Sequence, residues 1–322
     1  MTQYVLAADL GGTQLRVALV DRDGNVTHRN AIPTLAQQGR DDVMERFVTA
    51  LQQTASVVER ASLIGIGISQ AGPTNSETGM MYNPPNLPGW DGFSPKPILE
   101  ERLSLTSSHA NDATLGAMAE YAYGAGRGTK HMIYMTVSTG IGGGIMIDGR
   151  LYTGARGFAG ELGHITIDPN GPSCLCGSVG CLEMLASGTA VARIAQERLT
   201  AGEQSILLEP ANGVIEQVDA PKVAEAARSG DTLAKSIMQD AGTNLGIGIV
   251  SLLNALDPEV IVIGGGMSQS LDLLMPWVSQ MIEQRAIVTY QGQIPVVKSE
   301  LGDDVSLLGA AALAFDTYDR SQ

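Results

Sequence analysis

Two stretches of this chain repeat one pattern, and that repeat constrains the fold more than any other feature. Residues 4–10 form an apolar run that ends in Asp9-Leu10-Gly11-Gly12-Thr13, and residues 15–20 form a second run that meets the turn signal Asp21-Arg22-Asp23-Gly24. The same order returns at residues 131–137, Ser138-Thr139-Gly140, residues 141–147 and Asp148-Gly149. Each copy predicts a strand, a small polar and glycine turn, a second strand and a hairpin turn. An echo of this kind implies two related halves.

Between and after the two copies, helical and strand patterns alternate. Residues 41–60 carry apolar side chains at helical spacing, and residues 63–68 return to a buried strand. Residues 72–97 hold six prolines and four glycines and predict a loop, with Met80-Met81-Tyr82 as a short strand. A strand end at 106–109 precedes a helix capped by Asp112 and running to about Tyr123. Helices are expected over 183–198, 221–229, 231–255, 271–285 and 306–316, with strands over 260–263 and 294–298. Alternation of this type predicts an α/β fold with parallel pairing.

Composition narrows the function. With 44% hydrophobic and only 17% charged residues, the 322-residue chain can bury a sizeable core, which excludes disorder and a coiled coil. A formal net charge of −14 argues against nucleic acid as a partner. No apolar run approaches the ~18 residues of a membrane span, and no basic leader precedes the first strand, so no membrane partner is expected and the cytoplasm is the expected compartment.

Chemistry is carried by four groups of residues. In Asp9-Leu10-Gly11-Gly12-Thr13 a carboxylate at a strand end sits beside glycines that let backbone N–H groups approach an anion, and Thr139-Gly140 offers the same in the second half. Two such loops point to phosphate binding rather than to ordinary hairpin turns. Neither is a P-loop or a dinucleotide fingerprint. Asn111-Asp112 lies at a strand-to-helix junction, so Asp112 is either a plain helix cap or a base for a hydroxyl proton. All three cysteines, Cys174, Cys176 and Cys181, cluster near His164, which completes a Cys₃His set with no position left for water. That donor set predicts a structural zinc, with buried free thiols as the alternative. Glu161 and Glu183 flank the set and could accept hydrogen bonds from a polyol.

Taken in order, Asp9 to Thr13, Asn111-Asp112, Gly160-Glu161-Leu162-Gly163-His164 and the cysteine run to Glu183 resemble the ROK family of bacterial sugar kinases and sugar-responsive repressors, within the actin-like ATPase superfamily. The resemblance extends through the helix at 242–258 and Gly264-Gly265-Gly266, and so covers essentially the whole chain. It implies two actin-like, ribonuclease H-like α/β domains around a central cleft: a small one at 1–112 plus 303–322, and a large one at 113–302 with a zinc loop at 164–181. It further implies that Asp112 is the general base. Asn86, Asn111, Asp112, Glu161, His164 and Glu183 would hold the sugar, with His164 also a zinc ligand beside Cys174, Cys176 and Cys181. Asp9, Gly11, Gly12, Thr13, Thr139 and Gly140 would serve the phosphates, and Gly264, Gly265 and Gly266 the adenosine. Gln14 stands where many relatives carry Lys or Asn, and Met184-Leu185 departs from the glucokinase-like pattern.

The implied activity is transfer of the γ-phosphoryl of ATP, with Mg²⁺, to O6 of glucose, by a cytoplasmic enzyme with a structural Zn²⁺ that assembles as a dimer or tetramer. Alternatives are a kinase for another hexose or an N-acetylhexosamine, a sugar-responsive repressor, and a non-phosphorylating actin relative. A repressor of this family carries a helix-turn-helix segment before the first phosphate motif, whereas eight residues precede Asp9 here.

Overall fold

The computed structural model describes residues 2–322. In chain order the first elements are β1 (Tyr4–Leu10), β2 (Gln14–Asp21), β3 (Val26–Pro33), α1 (Arg40–Ala55), β4 (Leu63–Gln70), α2 (Lys96–Leu103), β5 (Ser107–Asn111) and α3 (Asp112–Tyr123). There follow β6 (Met132–Val137), β7 (Ile141–Ile147), β8 (Arg150–Leu151), α4 (Leu182–Ala186), α5 (Gly188–Thr200), α6 (Ala220–Arg228) and α7 (Thr232–Leu256). The chain closes with β9 (Val260–Gly264), α8 (Leu271–Arg285), β10 (Val296–Lys298) and α9 (Val305–Ser321).

Two five-stranded sheets share one strand order. The first runs β3-β2-β1-β4-β5 and the second, written from the other edge, β8-β7-β6-β9-β10. In the first, β2 pairs antiparallel with β3, and β4 pairs parallel with β1 and β5. In the second, β7 pairs antiparallel with β8, and β9 pairs parallel with β6 and β10. The repeat in the sequence is therefore a repeat of topology. Two compact units result: residues up to Lys130 with Gly144–Gly160 and Glu300–Gln322, and His131–Gly143 with Glu161–Ser299.

In the first unit the pleat sorts side chains between two cores. Leu6, Ala8 and Leu10 of β1 join Phe47 and Leu51 of α1 and Leu99 of α2, whereas Val5 and Ala7 join Leu115 of α3 and Leu307 to Phe315 of α9. The second core is built from small residues because the backbones nearly touch. A Cβ at Gly67 would strike the Ala310 carbonyl, and one at Gly309 would strike that of Leu115. The 72–97 loop is anchored by Met81, Leu87 and Trp90, all buried, with Trp90 edge-on to Phe93 at 5.3 Å.

Four differences from expectation stand out. Met80 to Tyr82 forms no strand, only an isolated bridge from Met81 to Thr74. The 183–198 helix is split at Ser187, whose side chain caps α5 by accepting from Ala190 N–H. The 294–298 strand shortens to Val296–Lys298, and α2 forms within Pro-containing sequence because Pro97 occupies its first turn, where no N–H is needed. Among the described residues no helix is long and apolar enough to cross a membrane.

Candidate functional site

In the first unit the glycine turn after β1 is held from behind. Gly11 N–H donates to Gln14 O at 3.2 Å, Thr34 N–H donates to Thr13 O at 2.9 Å, and Thr34 Oγ1 donates to Gly11 O at 2.6 Å. On its other side lies Asn86, in the left-handed region at φ 61°. A Cβ at Gly12 would strike the Asn86 side chain and lie 2.9 Å from its carbonyl oxygen, so only glycine lets these two candidates meet. Asp9 sits opposite Arg16 in the β1–β2 register, and the guanidinium donates to Asp9 Oδ2 from Nε at 3.0 Å and Nη2 at 2.6 Å. Arg16 also donates to the Asp303 carbonyl at 3.1 Å, which makes it a structural tie.

At the β5–α3 junction the helix cap is Asn111 and not Asp112. Asn111 Oδ1 accepts from Thr114 N–H at 2.7 Å with extended backbone, the geometry of an N-cap, while Asp112 is the first helical residue and accepts from Ala113 N–H at 2.8 Å. The expectation that Asp112 caps the helix is corrected by one residue, and Asp112 is released from that duty. Water reaches its side chain, yet the protein packed around the carboxylate raises its pKa, with the nearby Asp9 carboxylate adding to the shift and the Ala113 N–H opposing it. Solvent access limits the size of the shift and not its direction.

Beside this junction lies a buried polar chain that no motif marks. Gln70 and His109 share one face of the sheet, and neither is exposed. Glu100 Oε1 accepts from Ser107 N–H at 2.9 Å and from Ser107 Oγ at 3.3 Å, and Ser107 Oγ lies 2.9 Å from His109 Nε2. With Ser107 donating to Glu100, His109 carries its proton on Nε2. His109 Nδ1 and Gln70 Oε1 have no protein partner. Burial, assisted by the Lys96 charge, lowers the His109 pKa to about 3, so the ring is neutral at physiological pH.

In the second unit Glu183 backs the second glycine turn. Its Oε2 accepts from Ile141 N–H at 2.8 Å, and a Cβ at Gly140 would strike that same oxygen. A cavity of about 620 Å³ opens beside this turn, lined by Ser138 and Thr139 at the mouth of the loop, by Gly188 and Thr189 of α5, by residues of α6 and by Gly266. Gly265 holds φ 80° with Val137 O so close that any side chain would collide with it. Gly264, Gly265 and helix α7 do not line the cavity.

The cysteine run folds as the donor count predicts. The ligand atoms of His164, Cys174, Cys176 and Cys181 lie within 4.8 Å of one another. The distances from His164 Nδ1 to Cys174 Sγ, 3.7 Å, and between the sulfurs of Cys176 and Cys181, 3.6 Å, match the edges of a tetrahedron with Zn–S near ~2.3 Å and Zn–N near ~2.0–2.1 Å. Burial raises the Cys181 thiol, while the Ser178 backbone N–H lowers that of Cys176. The residues fit a structural zinc. His164 turns Nδ1 to the thiols and Nε2 to Glu161, 4.0 Å from its Oε2.

A model of the ROK family matches residues 5–317. The chain is 36% identical over 316 residues to a glucokinase of Halalkalibacterium halodurans, covering 97% of this chain and 94% of that one. It is 34% identical over 309 residues to a glucokinase of Thermotoga maritima, covering 96% of each. Among solved structures, a ROK hexokinase from Thermus thermophilus superposes with a TM-score of 0.85 at 32% identity, over 99% of this chain and 100% of the other.

Proposed function

Because the chain belongs to the ROK family, we propose that it is a cytoplasmic ATP-dependent hexose kinase, a glucokinase that transfers the γ-phosphoryl of ATP to O6 of glucose. The observation that carries the mechanism is the Asn111–Asp112 junction, where Asn111 takes the helix cap and leaves a raised, solvent-reachable carboxylate on Asp112. In this mechanism Asp112 accepts the proton of the sugar hydroxyl as its oxygen bonds to the γ-phosphorus and the bond to the bridging oxygen of ADP breaks. Magnesium, when bound, neutralises charge on the β- and γ-phosphate oxygens. Gly12, Thr13, Thr139 and Gly140 present backbone N–H groups and hydroxyls to those oxygens, Gly11 closes the first turn by donating to Gln14 O, and Asp9 would help to hold the metal. The 620 Å³ cavity beside Thr139 and Gly266 takes the nucleoside.

Asn86, Asn111, Glu161, His164 and Glu183 orient the sugar, and zinc on His164, Cys174, Cys176 and Cys181 fixes the imidazole that faces Glu161. Elemental analysis is expected to give about one zinc per chain. Cys176→Ser is expected to lose the metal and raise the glucose KM about 10–100-fold, the usual effect of loosening the groups that orient a site. Metal-free protein with unchanged glucose kinetics contradicts this role. Assembly into a dimer or tetramer is checked by the solution mass.

An ADP-release assay across hexoses and N-acetylhexosamines tests the activity. Glucose is expected to give the highest kcat/KM; preference for another sugar moves the assignment within the family, and no ADP release with any sugar overturns it. Gly12→Val, which must push Asn86 aside, is expected to abolish turnover or raise the ATP KM at least tenfold. Glucose binding measured by calorimetry remains detectable. Unchanged ATP kinetics in this variant rule out the first glycine turn as a phosphate loop.

A further inference from the structure

The nucleoside cavity of the second unit holds no side chain committed to reading adenine. Its walls are mainly apolar, with Ala192, Ala220, Pro221, Ala224 and Met267 facing the space. The one side-chain carboxylate in the lining, Asp219, is already engaged through both oxygens. Oδ1 accepts the Lys222 N–H at 3.0 Å as the cap of α6, and Oδ2 takes Lys222 Nζ at 2.7 Å. Gln269 Oε1 accepts from Lys298 Nζ at 2.9 Å, which leaves the amide NH₂ as the group of that side chain not yet paired. Arg228 spends Nε and Nη2 on Asp272, at 2.9 and 2.7 Å, and keeps Nη1.

Each fixed-sense acceptor oxygen of these side chains thus already takes a cationic or backbone N–H, and the groups still unpaired are donors. The other polar side chains in the lining, Ser138, Thr139, Thr189 and Ser270, are hydroxyls that rotate to donate or accept. None of the buried side-chain atoms left without a hydrogen bond lies in this cavity. Strong rejection of a near-isostere, about 10⁴–10⁵-fold, requires a buried polar group that the wrong ligand leaves unpaired, whereas apolar pockets discriminate only about 10–200-fold. Adenine differs from the 6-oxo purines at position 6, an amino donor against an oxo acceptor, and at N1, an acceptor against an N–H donor. Every fixed-sense side-chain acceptor in the lining is already paired within the protein, so none is reserved for the 6-amino group.

Building on the kinase assignment, we propose that this cavity admits 6-oxo purine nucleoside triphosphates, so that GTP and ITP serve as phosphoryl donors beside ATP. The reaction is unchanged in its balance. The γ-phosphorus leaves the β–γ bridging oxygen and bonds to the sugar oxygen, the hydroxyl proton goes to Asp112, and GDP or IDP is released in place of ADP.

Initial rates of sugar phosphate formation with ATP, ITP and GTP, each with magnesium and saturating glucose, test this on the intact enzyme. The expected result is a kcat/KM for ITP and GTP within about tenfold of that for ATP. A preference for ATP above about 200-fold, the upper limit for a pocket without a committed acceptor, overturns the proposal and places an adenine reader on the backbone. Calorimetry with non-hydrolysable analogues of ATP and GTP separates this from failure of the kinase assignment. If no donor supports turnover, the kinase assignment falls. Dissociation constants for the two analogues within tenfold of each other then still uphold the cavity's breadth, and binding of the adenine analogue alone, or of neither, overturns it.

Discussion

Asp112→Asn is expected to lower kcat by about 10²–10⁴-fold, roughly 3–5 kcal/mol of transition-state stabilisation, while the glucose dissociation constant changes far less. The substitution keeps the shape of the side chain and removes the ability to take a proton. Because Asn111 and not Asp112 caps α3, the helix start is untouched. The melting temperature at neutral pH is expected to hold or rise. The folded-state pKa of Asp112 is raised, so its contribution to stability is present below the unfolded pKa and lost as pH rises through the folded value. An ionised Asp112 at neutral pH is therefore a slight burden that Asn removes. The same shift makes kcat/KM fall on the acid side at a pH above the ordinary carboxylate range, since the base of the free enzyme must be ionised to act. Near-wild-type turnover in this variant excludes Asp112 as the base, and a collapse of stability together with kcat returns it to a structural role.

What the sequence made legible depended on whether the signal was local. The strand pairs and the two glycine turns could be read because apolar alternation and Gly-Gly or Thr-Gly fall within a few residues. The Cys₃His cluster was legible for the same reason, since its four residues span eighteen positions and exhaust the cysteines. Strand β3 gave a weak signal because it alternates half-buried with exposed positions and so lacks a buried apolar face. The contact of Gly12 with Asn86 joins residues 74 positions apart through a left-handed Asn, which no pattern announces. The cavity proposed for the nucleoside is assembled from residues of α5, α6 and the Gly266–Ser270 turn that lie far apart in the chain and form no local motif. The one-residue exchange of roles between Asn111 and Asp112 was decided by backbone angles, because either residue type caps about equally well.

The Glu100–Ser107–His109 chain was invisible for a different reason. Polar residues on a strand read as a solvent face, and here α2 and the 72–93 loop cover that face instead, leaving His109 with no exposed surface. This burial has a measurable consequence. The folded-state pKa of His109 is lowered from 6.5 to about 3. Below about pH 6.5 the unfolded chain binds a proton that the folded chain refuses, so stability rises with pH across this window and is lost as pH falls through it. The slope from this one group approaches 1.4 kcal/mol per pH unit, or on the order of 2 kcal/mol between about pH 6.5 and 5. Replacing His109 with Gln, which can still donate to Ser107, removes the titration. The difference in unfolding free energy between the variant and the parent, measured by urea denaturation at a series of pH values, is therefore expected to favour the variant progressively on acidification. Taking the difference cancels the carboxylates, including the opposite contribution of Asp112. A difference that stays constant from pH 7 to 5 shows that His109 takes up a proton in the folded state, and that the orphaned Nδ1 has found a partner able to hold it charged.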